Sequence, residues 1–205
     1  MANILIACEF SGVVREAFRR RGHNAWSCDL LPAADGSPYH YQQDVGPRLT
    51  PGWDLIIAHP PCTYLCSSGL HWNTRRPERA ALTEKALGFI VGIWTCGVQR
   101  VAIENPQGCI NTRLAFMPKP QYIHPYEFGH DASKKTGLWL RNLPPLVLDP
   151  AKRVDGRMVN GRERWANQTD SGQNRLPPSP DRWALRSMTY PGIAEAMAEQ
   201  WGALL

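Results

Sequence analysis

What this sequence lacks narrows what it can be. No apolar run is long enough to span a bilayer, and nothing at its start resembles a secretion signal, so a cytoplasmic protein with no membrane partner is expected. There is no internal repeat. Six cysteines (Cys8, Cys28, Cys62, Cys66, Cys96 and Cys109) are scattered through apolar runs and turns. They form no disulfide framework, which suits a reducing compartment. Cys62-x-x-x-Cys66 with His71 has no second ligand pair at finger-like spacing, so no metal is expected. What is present is ordinary for a globular chain: 205 residues, 43% hydrophobic and 20% charged. That is enough for one domain, 1–205, with a substantial core. The formal net charge of +5 favours an anionic partner such as nucleic acid.

Short apolar runs alternate with helical patterns. Asn3 to Cys8, Asn24 to Cys28, Tyr41 to Gln43, Trp53 to His59 and Val101 to Ile103 read as strands. Val13, Val14, Ala17 and Phe18 share a helical face that stops near Gly22. Pro77 opens a long helix running to about Cys96. Ile193, Ala194, Met197 and Trp201 line a closing helix from Pro191 to about Leu204. Gly137 to Leu140 and Leu146 to Leu148 are later candidate strands, and residues 66 to 76 read as a flexible loop. Residues 149 to 182, poor in aliphatics and rich in Arg, Gly, Asn and Pro, read as an irregular basic insert. The alternation predicts an α/β fold with a doubly wound, mostly parallel sheet.

Two motifs close buried-type runs. Pro60-Pro61-Cys62 follows Leu55 to Ala58, and Glu104-Asn105-Pro106 follows Val101 to Ile103. Open α/β sheets bind ligands at the carboxyl ends of their strands. A thiol and a carboxylate delivered there are a candidate nucleophile and proton donor. Three of the first strands end in the acids Glu9, Asp29 and Asp44, and an acid after the second strand suits ribose hydroxyls.

The ordered set resembles the cytosine-C5 DNA methyltransferases, in particular their small phage-type members. The resemblance implies the Rossmann-like fold of S-adenosylmethionine (SAM)-dependent methyltransferases. Phe10-Ser11-Gly12 is similar to the motif that holds the methionine part of SAM. Asp29 falls at the ribose ligand and Asp44 at the adenine ligand, so Glu9, Leu30, Val45 and Pro60 are expected in the same pocket. Pro60-Pro61-Cys62 matches the nucleophile motif and Glu104-Asn105 the Glu-Asn motif. Thr189 to Ala198 is similar to the closing motif, which brings Thr189 to the SAM pocket. The implied activity is methyl transfer to C5 of cytosine in DNA, with Cys62 adding to C6 and Glu104 at N3. Asn105 is expected to order the Pro-Pro-Cys loop. For a phage-encoded chain the compartment would be the host cytoplasm.

The chain departs from the family in four places. Val14 stands at the first motif's second glycine, and Pro106 at a usual valine. The Gln-x-Arg-x-Arg motif is absent; Ser133-Lys134-Lys135-Thr136 occupies its place, and Lys134 becomes the expected base-facing cation. A large target-recognition domain is missing, leaving 149–182 for that role. Two stretches carry candidate DNA contacts: His71, Trp72, Arg75 and Arg76, and the basic stretch with Arg162 and Arg164. From Lys152 to Arg186 there are eight Lys or Arg against four acids, most of the net charge. Four alternatives stay open: C5 modification of a free deoxycytidine nucleotide or of RNA, a modified SAM as donor, amino methylation at N4 or N6, and a non-enzymatic DNA-binding protein. The oligomeric state is not legible.

Overall fold

The computed structural model describes residues 1–180 and 182–205. At its centre lie seven strands: β1 (Asn3–Ala7), β2 (Asn24–Asp29), β3 (His40–Gln42), β4 (Leu55–Ala58), β5 (Arg100–Pro106), β6 (Gln121–Ile123) and β7 (Thr136–Arg141). They form one sheet in the order β3-β2-β1-β4-β5-β7-β6. β1 to β5 pair in parallel, and β7 runs against both of its neighbours. This is the doubly wound, mostly parallel α/β sheet expected from the sequence.

Helices cover both faces, which is why the inner strands read as continuous apolar runs. Ile4, Ile6, Leu55, Ile57, Ala102 and Leu138 meet α1 (Val13–Arg19) and α6 (Pro191–Gly202) on one side. Leu5, Ala7, Ile56, Ala58, Val101 and Ile103 meet α3 (Pro77–Trp94) on the other. α3 buries Thr83, Leu87, Ile90 and Trp94, spaced three or four residues apart along one stripe. α6 inserts Trp201, fully buried, whose Nε1 donates to Pro144 O at 3.0 Å. Each such buried large side chain is worth about 1.5–3 kcal/mol of transfer free energy. No helix among the described residues is long and apolar enough to cross a membrane.

Three expectations need correction. Leu146 to Leu148 is not a strand. The Leu146 and Val147 amides are taken by the Gln121 and Gln200 side chains, both at 2.7 Å, so neither seeks a sheet partner. Residues 66 to 76 are not an open loop but α2 (Ser67–Leu70) followed by a 3-10 turn, His71–Thr74. Within 149–182 the chain forms a hairpin, β8 (Arg157–Val159) with β9 (Arg162–Arg164). It turns at Asn160-Gly161, both at positive φ (50° and 73°), the pairing that a two-residue hairpin turn prefers. β6 was not anticipated either; its three residues are too few to show a period. Two further short helices are α4 (Ile110–Arg113) and α5 (Arg182–Ser187).

Candidate active site

The strand order reverses between β1 and β4, so their carboxyl ends flank the crevice where open α/β sheets take ligands. β4 delivers His59-Pro60-Pro61-Cys62 to that edge, and β5, its neighbour, delivers Glu104 and Asn105. Asn105 is buried and its Nδ2 donates to Pro60 O at 2.8 Å, tying the proline turn to β5. Beyond Cys62 the chain is stitched to the segment after β5. Ser67 N donates to Gln107 O at 3.1 Å, and Cys109 N to Leu65 O at 2.9 Å. Arg79 of α3 clamps the same loop from outside, donating to Thr63 O and Gly69 O at 2.8 and 3.1 Å.

Cys62 is half-buried and unpaired. Burial, then Cys66, then the Glu104 carboxylate push its thiol above the ordinary range, and Lys134 pulls the other way. The resting sulfur is therefore protonated. Cys66 lies one turn further on, its sulfur 3.2 Å from Ser68 Oγ. For Glu104, burial alone would raise the carboxyl. The His59 imidazole, Lys134 and Thr136 together outweigh burial and hold it below the usual carboxylate range. Glu104, Lys134 and Thr136 line one narrow cleft with Pro125, Thr189 and Tyr190. The structure thus brings Cys62, Glu104 and Lys134 within one another's electrostatic reach, and places Thr189 in this cleft.

Three residues beside the cleft were assigned no site role in the sequence reading. Thr136 stands at the start of β7, opposite the end of β5. Asn167 comes from the basic insert and grips the main chain next to Lys134. Its Oδ1 accepts from Ser133 N at 2.9 Å and its Nδ2 donates to Ser133 O at 3.0 Å. A Tyr126–Trp165 stack, centroids 4.0 Å apart and 7° from parallel, anchors the insert there. His59 is the third: its side chain is 8% exposed, and Nδ1 lies 3.6 Å from Glu104 Oε2. Its signal was its place directly before the Pro-Pro turn.

The residues expected to hold SAM spread along the ends of β1, β2 and β3. Glu9 is buried and caps α1, accepting from Val14 N at 2.7 Å and Arg15 N at 3.3 Å. Burial raises its carboxyl, against the pull of His59, these two amides and Arg15. Gly12 has φ +73, and a Cβ there would strike the buried Arg15 guanidinium at 2.3 Å, so the Phe10-Ser11-Gly12 turn requires glycine. Asp29 Oδ1 accepts from Leu31 N at 3.0 Å, and Asp44 Oδ1 from Gly46 N at 2.7 Å. Each keeps its second carboxylate oxygen without a protein partner among the described residues. Leu30 is 71% exposed beside Asp29, whereas Val45 is buried. Acceptors for hydroxyls and an amino group beside an exposed apolar side chain fit a nucleoside such as that of SAM.

On the outer surface, Trp72 is exposed, with the Arg76 and Arg75 guanidinium carbons 4.8 and 5.8 Å from its ring centroid and His71 tilted against it. Arg162 is exposed at the tip of the hairpin and has no ion-pair partner among the described residues. Arg164 instead donates to the carbonyls of Asp170 and Glu163 at 3.1 and 2.9 Å.

No family model matches the chain, and no curated protein matches it. Among solved structures, one similar chain is a putative DNA modification methyltransferase encoded within an E. coli prophage. It is 14% identical with a TM-score of 0.44, over 68% of this chain and 46% of that one. A DNMT2 variant of Spodoptera frugiperda is 18% identical with a TM-score of 0.44, over 70% of this chain and 52% of that one. The magnesium protoporphyrin IX methyltransferase of Synechocystis PCC 6803, with bound SAM, is 11% identical with a TM-score of 0.42, over 69% of this chain and 70% of that one. The chain spans about half the length of the first two. Identities and TM-scores this low carry no weight for what this chain acts on.

Proposed function

We propose that this chain transfers a methyl group from SAM to C5 of cytosine in DNA, as a single catalytic domain of the small phage type. One observation carries the reading: Cys62, Glu104 and Lys134 converge at the ends of the adjacent strands β4 and β5. Cytosine C5 is a poor nucleophile until a thiolate adds to C6. As the sulfur–C6 bond forms, Cys62 releases its proton to solvent and N3 of the base gains one through Glu104, which limits the negative charge that builds on the ring. Lys134 would face O2, where negative charge develops until the proton reaches N3. Asn105, bonded to Pro60 O, keeps the turn that aims the sulfur. Because burial and the Glu104 carboxylate keep Cys62 protonated at rest, its ionisation belongs to the substrate-bound state. Bound SAM would supply an electrophilic methyl group. Asp29, Leu30 and Asp44 would hold its nucleoside, with Val45 packed beneath them, while the Glu9-to-Gly12 turn and Pro60 would flank its methionine part. Loss of the C5 proton and of the sulfur then frees the enzyme.

A duplex hides C6, so the target base must leave the stack. Trp72 with Arg75 and Arg76 offers a stacking face and phosphate contacts, and Arg162 a further phosphate contact. The insert 149–182 stands in for a recognition domain. Mass spectrometry of nucleosides from the DNA of cells expressing the chain tests this: 5-methylcytosine is the expected product. Methylated adenine or N4-methylcytosine instead would contradict the C5 chemistry. Clean DNA with a modified nucleotide pool or modified RNA would contradict the substrate. A different group at C5 would contradict SAM itself as the donor.

A further inference from the structure

His59 stands at the switch point of the sheet, between the buried Glu9 and the largely buried Glu104 on the flanking segments. β4 lies between β1 and β5, so His59, directly after β4, has Glu9 on the β1 side and Glu104 on the β5 side. Its backbone N donates to Ala7 O at 2.9 Å, fixing the residue against β1. Both ring nitrogens are buried, and neither has a hydrogen-bond partner among the described residues. Nδ1 lies 3.6 Å from Glu104 Oε2, just outside bonding distance. A polar ring so placed costs free energy unless it acquires a partner, about 1–3 kcal/mol for a buried unsatisfied donor or acceptor. A small shift of the Glu104 carboxyl toward the ring would supply one. The structural chemistry of the turn does not require the ring, since Asn105, not His59, holds the Pro60 carbonyl.

We infer that His59 is a positioning residue for Glu104, and that the His59–Glu104 pair rather than Glu104 alone holds the proton that N3 of the base receives. The inference rests on the C5 reading above. The balance is simple. The imidazolium gives its Nδ1 proton to the Glu104 carboxylate, Glu104 passes that same proton to N3, and neutral His59 remains while Cys62 is bonded to C6. When the product ring expels the sulfur, the N3 proton returns along the same path. This removes a difficulty in the site: His59, Lys134 and Thr136 keep Glu104 ionised at rest, so Glu104 by itself holds no proton to donate near neutrality. Imidazole is the side chain that ordinarily exchanges a proton between pH 5 and 8. The charged and titratable groups around it are Glu9 after β1, Glu104 on β5, Lys134 before β7, which acts through Glu104, and Cys62 in its own turn.

The test is the pH profile of single-turnover methyl transfer to cytosine-containing DNA, for the full chain and its His59→Gln and His59→Asn variants. In the native chain the rate should fall on the alkaline side as the pair loses its proton. Ionisation of Cys62 acts in the opposite sense, so that fall is not its signature. The amide variants should transfer ~10-fold or more slowly at neutral pH, regain rate on acidification as Glu104 itself protonates, and keep KM for DNA within about twofold. SAM affinity by calorimetry and the thermal midpoint report whether each variant is folded, and either variant suffices. Equal rates across the profile would overturn the inference, as would a loss uniform in pH, the mark of a merely structural role. A native chain that transfers no methyl group to C5 would overturn the function proposed above and this inference with it. An active native chain with unshifted variants would overturn this inference alone.

Discussion

At the level of single residues, neighbours decide what each group can do. Glu9 is buried and Glu104 largely so, both at strand ends, yet their carboxyls move in opposite directions. Glu104 sits with His59, Lys134 and Thr136 and is held down; burial prevails at Glu9 and raises it. The depressed Glu104 stabilises the fold at pH values above its ordinary one, near 4.5. That stabilisation is lost as pH falls through the depressed value. Urea melts of the native chain and Glu104→Gln should therefore differ most above the ordinary carboxylate range, and the difference should shrink as pH falls below it. A gap that widens on acidification would contradict the assignment. Cys62, Glu104 and Asn105 were legible in the sequence because each is a chemically distinctive residue closing an apolar run. Asn167 was not, because its importance lies in contacts made from a distant insert, which no local pattern records; His59 stands directly before the Pro-Pro turn, but its approach to Glu104 on the next strand is visible only in the fold.

At the level of elements, the site depends on how tightly the Cys62 loop lies on the segment after β5. A Cβ on Gly108 would fall 1.8 Å from Leu65 O, a main-chain atom with no freedom to retreat. Gly108→Ala should cost about 1–3 kcal/mol by overpacking. It should also slow the Cys62 chemistry, because the loop that must move carries the thiol. Chemical denaturation and single-turnover rates check both, and unchanged values would show that the loop is not held there. The other end of the crevice makes a separate prediction. Asp29→Ala and Asp44→Ala should each weaken SAM binding by about 1–3 kcal/mol in calorimetry, the worth of one lost charge-assisted bond. Unchanged affinity in a folded variant would move the pocket elsewhere. The inner strands and long helices were readable because burial on both faces and a 3.6-residue stripe leave plain patterns. The hairpin was readable in principle from Asn160-Gly161, but its strands, Arg157–Val159 and Arg162–Arg164, are three residues each, too short to show an alternation. Leu146 to Leu148 misled for the opposite reason: the run is apolar, but glutamine side chains satisfy its backbone.

At the level of the whole molecule, the sheet places the candidate chemistry at one edge, and the basic insert docks beside it through Trp165 and Asn167. Much of the insert's positive charge is tied up internally. Arg157 pairs with Asp170 at 2.8 Å and Arg153 with Glu163 at 2.7 Å, whereas Arg162 is exposed. Arg162→Ala should weaken binding to all DNA sequences alike and reduce the salt slope by ~0.9 for one lost phosphate contact, with no change in stability. Arg164→Ala should lower stability as well, since Arg164 holds the Asp170 and Glu163 carbonyls. Filter binding across a salt series and thermal melts separate the two, and a sequence-selective loss at Arg162 would contradict the phosphate role. The central claim, that Cys62 attacks the base, has a direct measurement: DNA bearing 5-fluorocytosine, incubated with the protein and SAM and resolved on a denaturing gel. Fluorine at C5 cannot leave as a proton does, so the protein–DNA bond should persist in the native chain and in Cys66→Ala, and vanish in Cys62→Ala. An adduct that survives Cys62→Ala, or disappears in Cys66→Ala, would contradict the account.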